Sequence, residues 1–263
     1  MQFRALSRFA VVLGSLFLWS ALAGAAEKIK IGVTAGPHAQ IMAVAKAVAA
    51  KNGLDLQIIE FSDFVQPNAA LAAGDLDANS FQHLPYLVAQ NKDRNYALVS
   101  VANTVTFPLG IYSARLKSLS ELKLGAKIAL PNDPTNGNRV LLLLQKQGLI
   151  KLRPGVELAT PFDITDNPKK LKLIELDAAQ IPRVLKDVDA AAINTDFAVQ
   201  AGLTPVRDAI AIEDSNGPYA NIIAVRASDR NQPWVAKLIS AYHSPEVKQY
   251  IESQFKGEAL VAW

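Results

Sequence analysis

"KIKIGVTAGPHAQIMAVAKAVAAKNGLDLQIIEF", residues Lys28 to Phe61, is the stretch that decides the fold. It opens on an apolar run typical of a β-strand and turns at "TAGPH". A helical pattern follows, in which the apolar residues recur at intervals of three and four. Asn52 and Gly53 then end the predicted helix, and "LDLQIIEF" is a second strand. A strand, a helix and a strand in this order predict a parallel strand pair covered by the helix.

The same alternation recurs further along the chain. "KIALPND" predicts a strand, "PTNGNRVLLLLQKQG" a helix, "LKLIELD" a strand, "AQIPRVLKDV" a helix and "DAAAIN" a buried strand. Two such series predict two α/β lobes, each a mainly parallel sheet flanked by helices, with a ligand cleft between them. Ligands of open α/β sheets bind beyond the carboxyl ends of the strands, so polar residues at strand ends are the candidates for a site.

The first 25 residues have the pattern of a secretory signal peptide. Arg4 and Arg8 precede the apolar run "FAVVLGSLFLWSALAG", which is short for a membrane span, and small residues follow it. We expect cleavage after Ala25 and export to a bacterial periplasm. "LAGA" resembles a lipobox in which Ala25 replaces the cysteine, so lipid anchoring is not expected.

Composition excludes several classes of function. The chain has no cysteine, which excludes disulfides, thiol catalysis and thiolate metal sites. The net charge of +3 falls to +1 once the two signal-peptide arginines are removed, and acidic and basic residues are interspersed, so nothing predicts nucleic-acid binding. The three histidines, in unrelated segments, lack metal-ligand spacing. We therefore expect no metal and no cofactor.

His83 follows a strand-like run in "DANSFQHLPYL" and lies just before a predicted helix. It could bond to backbone at the helix start, or it could supply one polar contact in the wall of an aromatic pocket. Catalysis has weaker support, because no G-x-S-x-G nucleophile motif is present. His38, in "GPHA", is interpreted as a helix-start residue at the rim of the cleft.

Arg139 lies in the first turns of the helix that "PNDPTNGN" introduces. It could extend into solvent, or it could join the helix start in binding a carboxylate, for which a guanidinium is geometrically suited. Asn194 and Asn221 lie at strand ends, where asparagine often only forms turns, but together with Arg139 they could bind a zwitterion. Aromatic residues that belong either to the core or to the site are Phe64, Phe81, Tyr86 and Phe107.

Several motifs carry a resemblance that runs from about Lys28 to Trp263: "DFVQPNAAL", "DANSFQHLPYL", "PNDPTNGNRVLLLLQKQGLIKL", "INTDFA" and "EDSNGPYANIIAVR". The chain resembles the NlpA lipoprotein family, the methionine-binding proteins of bacterial ABC methionine importers. The resemblance implies a type II-like periplasmic-binding-protein fold, with residues 26–106 and 220–263 in lobe 1 and residues 107–219 in lobe 2. It also implies a non-enzymatic monomer that delivers methionine to the permease and ATPase subunits of an importer.

The resemblance assigns roles to the candidate residues. Arg139 would bind the ligand carboxylate, and Asn194 and Asn221 would hold the amino and carboxylate ends. The pocket for the ligand side chain would be lined by Phe81, His83 and Tyr86 and closed by Phe64 and Phe107. The family commonly has tyrosine at the last two positions, and "TNGNR" stands where "TNxGR" is usual, so a lost polar contact and a shifted loop are expected.

Other functions remain open from sequence alone. The ligand could be L- or D-methionine, another amino acid or a methionine-containing dipeptide. An exported lyase or hydrolase on the same fold would need an acid–base pair, for which His83 with Asp63, Asp133 or Asp196 is the candidate. A released protein could also bind another macromolecule, for which the sequence offers no test.

Overall fold

The computed structural model describes residues 26–263, so the predicted signal peptide lies outside the described part. The strands, in chain order, are β1 (Glu27–Thr34), β2 (Leu54–Phe61), β3 (Ala78–His83), β4 (Leu98–Thr106), β5 (Gly110–Tyr112), β6 (Lys127–Pro131), β7 (Lys151–Leu152), β8 (Ile164–Asp166), β9 (Lys172–Leu176), β10 (Ala190–Ile193), β11 (Ala209–Ile212), β12 (Ala220–Arg226) and β13 (Leu260–Val261). The α-helices are α1 (Pro37–Lys51), α2 (Gln66–Ala73), α3 (Leu84–Arg94), α4 (Pro134–Lys146), α5 (Thr195–Gln200), α6 (Pro205–Asp208), α7 (Pro233–Tyr242) and α8 (Pro245–Phe255). From residue 26 onward, no helix has both the length and the apolarity that crossing a membrane requires.

The strands form two main sheets, one on each side of the cleft. The first has the order β13-β4-β12-β3-β1-β2, and the second has the order β11-β5-β10-β6-β9. β1 pairs in parallel with β2, as the opening stretch predicts, and also with β3, while β6 pairs in parallel with β9 and β10. The two-lobed α/β fold is therefore confirmed, although the lobe boundaries themselves stay a prediction.

Most strands of each sheet point in the same direction, as predicted, and a minority run against them. In the first sheet β12 runs antiparallel to β3 and β4, and in the second sheet β5 runs antiparallel to β10 and β11. The reason lies in the connections: β4 leads through three residues into β5, and β12 returns from the second sheet after β11. β4 runs out of the first sheet towards the second and β12 re-enters the first sheet, so these neighbours point in opposite directions, as do β5, which enters the second sheet, and β11, which leaves it.

A correction concerns "AQIPRVLKDV", which predicts an α-helix. Residues Ala178–Val184 form 3-10 turns instead, with Pro182 inside them. Proline has no N–H to donate and its ring clashes with the preceding turn, so an α-helix does not form there. By contrast, "QPWVAKLISAYHSPEVKQYIESQF", whose pattern predicts one or two amphipathic surface helices, forms α7 and α8.

Each main sheet has a hydrophobic core of its own. In the first lobe, Ile31 and Val33 of β1 pack with Ile41 of α1 and Leu238 of α7, all with no exposed surface. In the second lobe the core gathers around β6 and α4. Truncating a buried aliphatic side chain in such a core costs about 2–5 kcal/mol, so each core fixes its own sheet.

The lobes meet where two connecting segments run side by side. Glu213, just after β11, donates its backbone N–H to Leu109 O at 2.9 Å, and Leu109 N–H donates to Glu213 Oε2 at 3.2 Å. A contact between the lobes joins Gln200 Nε2 to Ala35 O at 2.9 Å. The neighbouring Gly36 has φ of 86°, and a Cβ there would lie 3.2 Å from the Gln200 side chain, so this turn needs glycine.

Candidate functional site

A cavity lies between the lobes, where β3, α4, β10 and the start of β12 converge. The space between its lining atoms is about 370 Å³, counting the part open to solvent. Its lining comprises all eight side chains singled out from the sequence and four others: Phe64, Phe81, Gln82, His83, Tyr86, Phe107, Asn136, Arg139, Asn194, Thr195, Asp196 and Asn221. Strand ends from both lobes thus supply one enclosed, partly aromatic and partly polar site.

One end of the cavity is aromatic. The rings of Phe64, Phe81 and Tyr86 lie with centroids 6.0–6.4 Å apart in tilted and edge-on arrangements. The ring of Phe64 also packs against that of Phe197 across the cleft, with the ring centroids 4.7 Å apart. Burial raises the pKa of the Tyr86 phenol, which therefore keeps its proton and donates it to Phe64 O at 2.8 Å. This end can hold an apolar or thioether side chain.

His83 is both the N-cap of α3 and part of the cavity wall. Its Nδ1 accepts the Tyr86 N–H at 3.2 Å, so Nε2 carries the proton and faces Asn136 Oδ1 at 3.4 Å. Burial, with a smaller contribution from Arg139, lowers the pKa of His83 to about 3. The imidazole is therefore neutral at physiological pH, and both interpretations of this residue apply together.

The two roles of His83 can be separated by substitution. We expect His83→Ala to lose the cap, at about 1 kcal/mol of unfolding free energy, as well as the ring in the cavity wall. His83→Asn keeps a capping oxygen and loses only the ring. If the ring contacts a ligand, both variants weaken binding alike in calorimetry, while only the alanine variant is clearly destabilised in urea. Loss of affinity in proportion to loss of stability would contradict a direct contact.

Arg139 is almost fully buried in the second turn of α4 and is held on three sides. Its Nε donates to both carboxylate oxygens of Glu213 at 2.8 Å, and Nη2 donates to Glu213 and to Phe107 O. The ring of Tyr219 lies 4.4 Å from its Cζ. In residues 26–263 these bonds involve Nε and Nη2 and not Nη1. Nη1 therefore keeps donors for a bound anion.

Sequence reasoning missed Glu213 and Tyr219. Both belong to the second segment that joins the lobes, "EDSNGPYAN". Of that segment, only Asn221 was predicted to be a site residue. An acid 74 residues away from an arginine carries no local signal of pairing with it. Only the path of the chain between the lobes brings the two together.

Asn194 lies at the polar side of the cavity as the residue that precedes α5. Its Nδ2 donates to Asn136 Oδ1 at 2.9 Å, and Asn136 Nδ2 donates to Asp133 Oδ2 at 2.9 Å. Asn194 Oδ1 is buried and has no hydrogen-bond partner within the described chain. Asn136, which the sequence did not single out, thus orients Asn194 and leaves its carbonyl oxygen available.

Asn221 opens β12 and contacts a histidine of the same lobe. Its Nδ2 donates to His38 Nε2 at 3.0 Å, and Asp196 Oδ2 lies 3.8 Å from that nitrogen. His38 is only 1% exposed, so the placement at the rim of the cleft is wrong. The turn at Gly36 directs the start of α1 inward, and the His38 ring packs edge-on against Phe107 at 5.0 Å. Burial lowers the pKa of His38 to about 3.

Within residues 26–263, the side-chain hydrogen bonds of His83 go to Asn136 and Tyr86, and Asp196 lies next to His38 instead. Asp63 accepts the N–H groups of Val65 and Gln66 at the start of α2, and Asp133 caps α4 through the Asn136 N–H. Both carboxylates therefore stabilise helix starts. The part of the chain from residue 26 onward contains no group of three or more acidic or histidine side chains that could hold a metal.

The unusual "TNGNR" sequence leaves α4 regular. A Cβ at Gly137 would lie 3.0 Å from the backbone oxygen of Pro131, so the glycine allows α4 to approach β6 closely. Asn138 uses its side-chain oxygen to accept the Ala159 N–H at 2.9 Å. Arg139 of this helix faces the cavity.

Two α/β lobes joined by paired segments, with a closed polar and aromatic cavity between them, define a two-lobed substrate-binding protein. The chain belongs to the NlpA lipoprotein family, whose profile matches residues 29–263. It is 48% identical over 270 residues to the "D-methionine-binding lipoprotein MetQ" of Salmonella typhi, covering 100% of this chain and 99% of the relative.

Two solved structures are similar over nearly the whole described chain. A nutrient-binding protein from Burkholderia cenocepacia bound to methionine has 57% identity and a TM-score of 0.88, covering 89% of this chain and all of that one. An ABC-transporter periplasmic substrate-binding protein from Coxiella burnetii has 52% identity and a TM-score of 0.86, with coverage of 89% and 100%. Sequence similarity and structural similarity therefore both place the chain among the two-lobed substrate-binding proteins.

Proposed function

We propose that this protein captures methionine in the cavity between its lobes and delivers it to a membrane ABC importer. The observation that carries the proposal is the division of one enclosed cavity into an arginine-and-amide side and an aromatic side. A zwitterionic head and a flexible thioether chain match those two sides. The methionine bound by the Burkholderia cenocepacia protein supports the same ligand here.

The residues take the following roles in this proposal. Arg139 binds the ligand carboxylate through Nη1, while Glu213 holds the rest of the guanidinium in place. Asn194 and Asn221 supply amide groups to the head of the ligand. The aromatic side is formed by Phe64, Phe81, His83, Tyr86 and Phe107.

The energies are sufficient for tight binding. A charge-assisted hydrogen bond contributes about 1.5–3 kcal/mol, and burying the methionine side chain contributes about as much. Contacts between the sulfur and the rings add about 0.3–1.5 kcal/mol each. Ordering and lobe closure oppose these terms, so an affinity in the micromolar range or tighter is expected.

Export and release complete the proposal. The signal peptide is removed after Ala25, and because Ala25 offers no thiol for a lipid, the protein is released into the periplasm without an anchor. It acts there as a monomer. Lobe 1 comprises residues 26–106 and 220–263, and lobe 2 comprises residues 107–219. Closure over the ligand brings the two lobes into the arrangement that the permease recognises, while the ATPase subunits drive transport. The protein itself performs no catalysis.

Calorimetry on protein that has been unfolded and refolded, to remove carried-over ligand, tests the function. We expect one-to-one binding of methionine, with the L/D affinity ratio measured directly, and no turnover. Leucine and glutamine are the matched controls, since each has the same head group and a different side chain. If leucine or a methionine-containing dipeptide binds more tightly than either methionine enantiomer, the proposed ligand is wrong.

A further inference from the structure

The Asp196 carboxylate is a polar cavity-lining group to which the roles proposed above assign no part. Asp196 lies in the first turn of α5 and is 4% exposed, yet it lines the cavity. Within residues 26–263, its Oδ1 is buried and accepts no hydrogen bond. An unpartnered buried carboxylate is costly, and such a group in a cavity calls for a physical explanation.

The groups around Asp196 do not supply a positive charge. His38, from α1, lies 3.8 Å from Oδ2, but its Nε2 already accepts a hydrogen from Asn221 and burial keeps the ring neutral. Tyr242, from α7, is fully buried, and burial above all, with Asp196 contributing, raises the pKa of its phenol. Neither neighbour is a cation at physiological pH.

The charged residues of the other elements packed against α5 lie at the surface and are engaged elsewhere. In the 3-10 segment, Arg183 bonds to Gln180, and in α6, Arg207 pairs with Asp208. Burial alone therefore determines the titration of Asp196 and raises its pKa to about 8. Below that pH, Asp196 in this arrangement of the lobes is a neutral carboxylic acid inside a cavity without ligand.

We propose that Asp196 accepts the ammonium group of the bound ligand, so that the site selects compounds with a free α-amino group. This inference rests on the proposed function. Asp196 Oδ2 lies 3.8 Å from His38 Nε2, and Asn221 bonds to the same nitrogen. Arg139 is instead bonded to Glu213 and to the backbone oxygen of Phe107. The site thus offers separate partners for a carboxylate and for an ammonium. An ammonium beside Asp196 supplies the charge that the protein itself does not provide.

Proton release is the direct consequence. With the lobes arranged as in this structure, Asp196 holds its proton below about pH 8 when no ligand is bound, and the complex holds a carboxylate, so binding from this arrangement transfers that proton to the buffer. The methionine Kd should therefore rise about tenfold when the pH falls from 7 to 6. Calorimetry in two buffers of different ionisation enthalpy should count close to one proton released per methionine.

A ligand without the amino group provides an internal control that needs no variant. 4-(Methylsulfanyl)butanoate keeps the carboxylate and thioether of methionine and lacks only the ammonium. It should bind the wild-type protein more weakly than methionine at pH 7, with no proton released and the same Kd at pH 6 and pH 8. Equal proton release by the two ligands would overturn the inference, because the released proton would then not depend on the ammonium.

The Asp196→Asn variant tests the same residue by a near-isosteric change. Its preference for methionine over 4-(methylsulfanyl)butanoate should fall at least tenfold, and its methionine Kd should become independent of pH between 6 and 8. Its preference for methionine over methioninamide, which reports on the carboxylate, should be unchanged. A variant that keeps the full amino-group preference would show that Asp196 does not touch the ammonium.

Failure of the inference and failure of the proposed function can be told apart. Wild-type protein that binds methionine with no proton release, and with equal affinity at pH 6 and pH 8, overturns the role of Asp196 alone. Wild-type protein that binds methionine at neither pH overturns the proposed function and this inference with it.

Discussion

The Arg139→Ala variant is expected to bind methionine at least about 30-fold more weakly than the wild-type protein. Removing a charge-assisted hydrogen bond to the ligand carboxylate costs about 2 kcal/mol or more, which corresponds to that factor. The loss should be larger than for a surface arginine, because Arg139 is 4% exposed and water replaces it poorly. Calorimetric Kd values for the two proteins measure the effect.

Arg139→Ala also leaves Glu213 without its partner. Breaking a largely buried ion pair by removing one member costs about 3–5 kcal/mol of unfolding free energy. The Arg139→Ala/Glu213→Gln double variant avoids the uncompensated carboxylate and should recover much of the stability without recovering affinity. Arg153→Ala is a matched surface control, since Arg153 is 63% exposed and its pair with Asp163 lies away from the cavity lining.

Methioninamide identifies the part of the ligand that Arg139 contacts. The wild-type protein should prefer methionine over its amide, and Arg139→Ala should lose most of that preference. A variant that binds both ligands more weakly by the same factor would place Arg139 outside the carboxylate contact. Arg139 would then affect binding indirectly, through the two segments that connect the lobes, where Glu213 also bonds to Leu109.

The sequence predicted the residues around the cavity because local patterns place them at strand and helix ends. His83 ends β3, Asn194 follows β10 and Asn221 opens β12, so each is directed to the same edge by its own element. Hydrophobic periodicity identifies those elements without knowledge of their neighbours. The lining of the cavity could therefore be predicted, although what each residue binds stays a proposal.

What the sequence could not show depends on contacts between distant segments. Glu213 meets Arg139 only because two connections between the lobes run side by side. His38 is buried only because α1 starts beneath the cleft, where it faces Asp196 from the other lobe. The antiparallel strands arise in the same way, from connections that cross between the lobes. Burial and pairing of this kind have no local signature.

The buried titratable groups predict how stability depends on pH when no ligand is added. His38 and His83 have pKa values lowered from 6.5 to about 3, so the unfolded chain binds more protons and stability falls as pH drops below 6.5. Asp196 has its pKa raised from 3.8 to about 8, so the folded chain holds an extra proton and stability falls as pH rises towards 8.

These opposing effects place the maximum unfolding free energy near pH 6.5, with a loss of about 1 kcal/mol at pH 5 and again at pH 8. Asp196→Asn removes the alkaline loss. Below pH 6.5, protonation of Asp196 in the folded protein partly offsets the destabilising effect of the two histidines, and the variant lacks this offset. The unfolding free energy of the variant should therefore fall by roughly 3 kcal/mol between pH 6.5 and pH 5. Urea unfolding of both proteins at pH 5, 6.5 and 8 measures this. If the two curves run parallel across all three pH values, Asp196 does not hold a proton in the folded protein, and its carboxylate is already ionised inside the cavity before any ligand arrives.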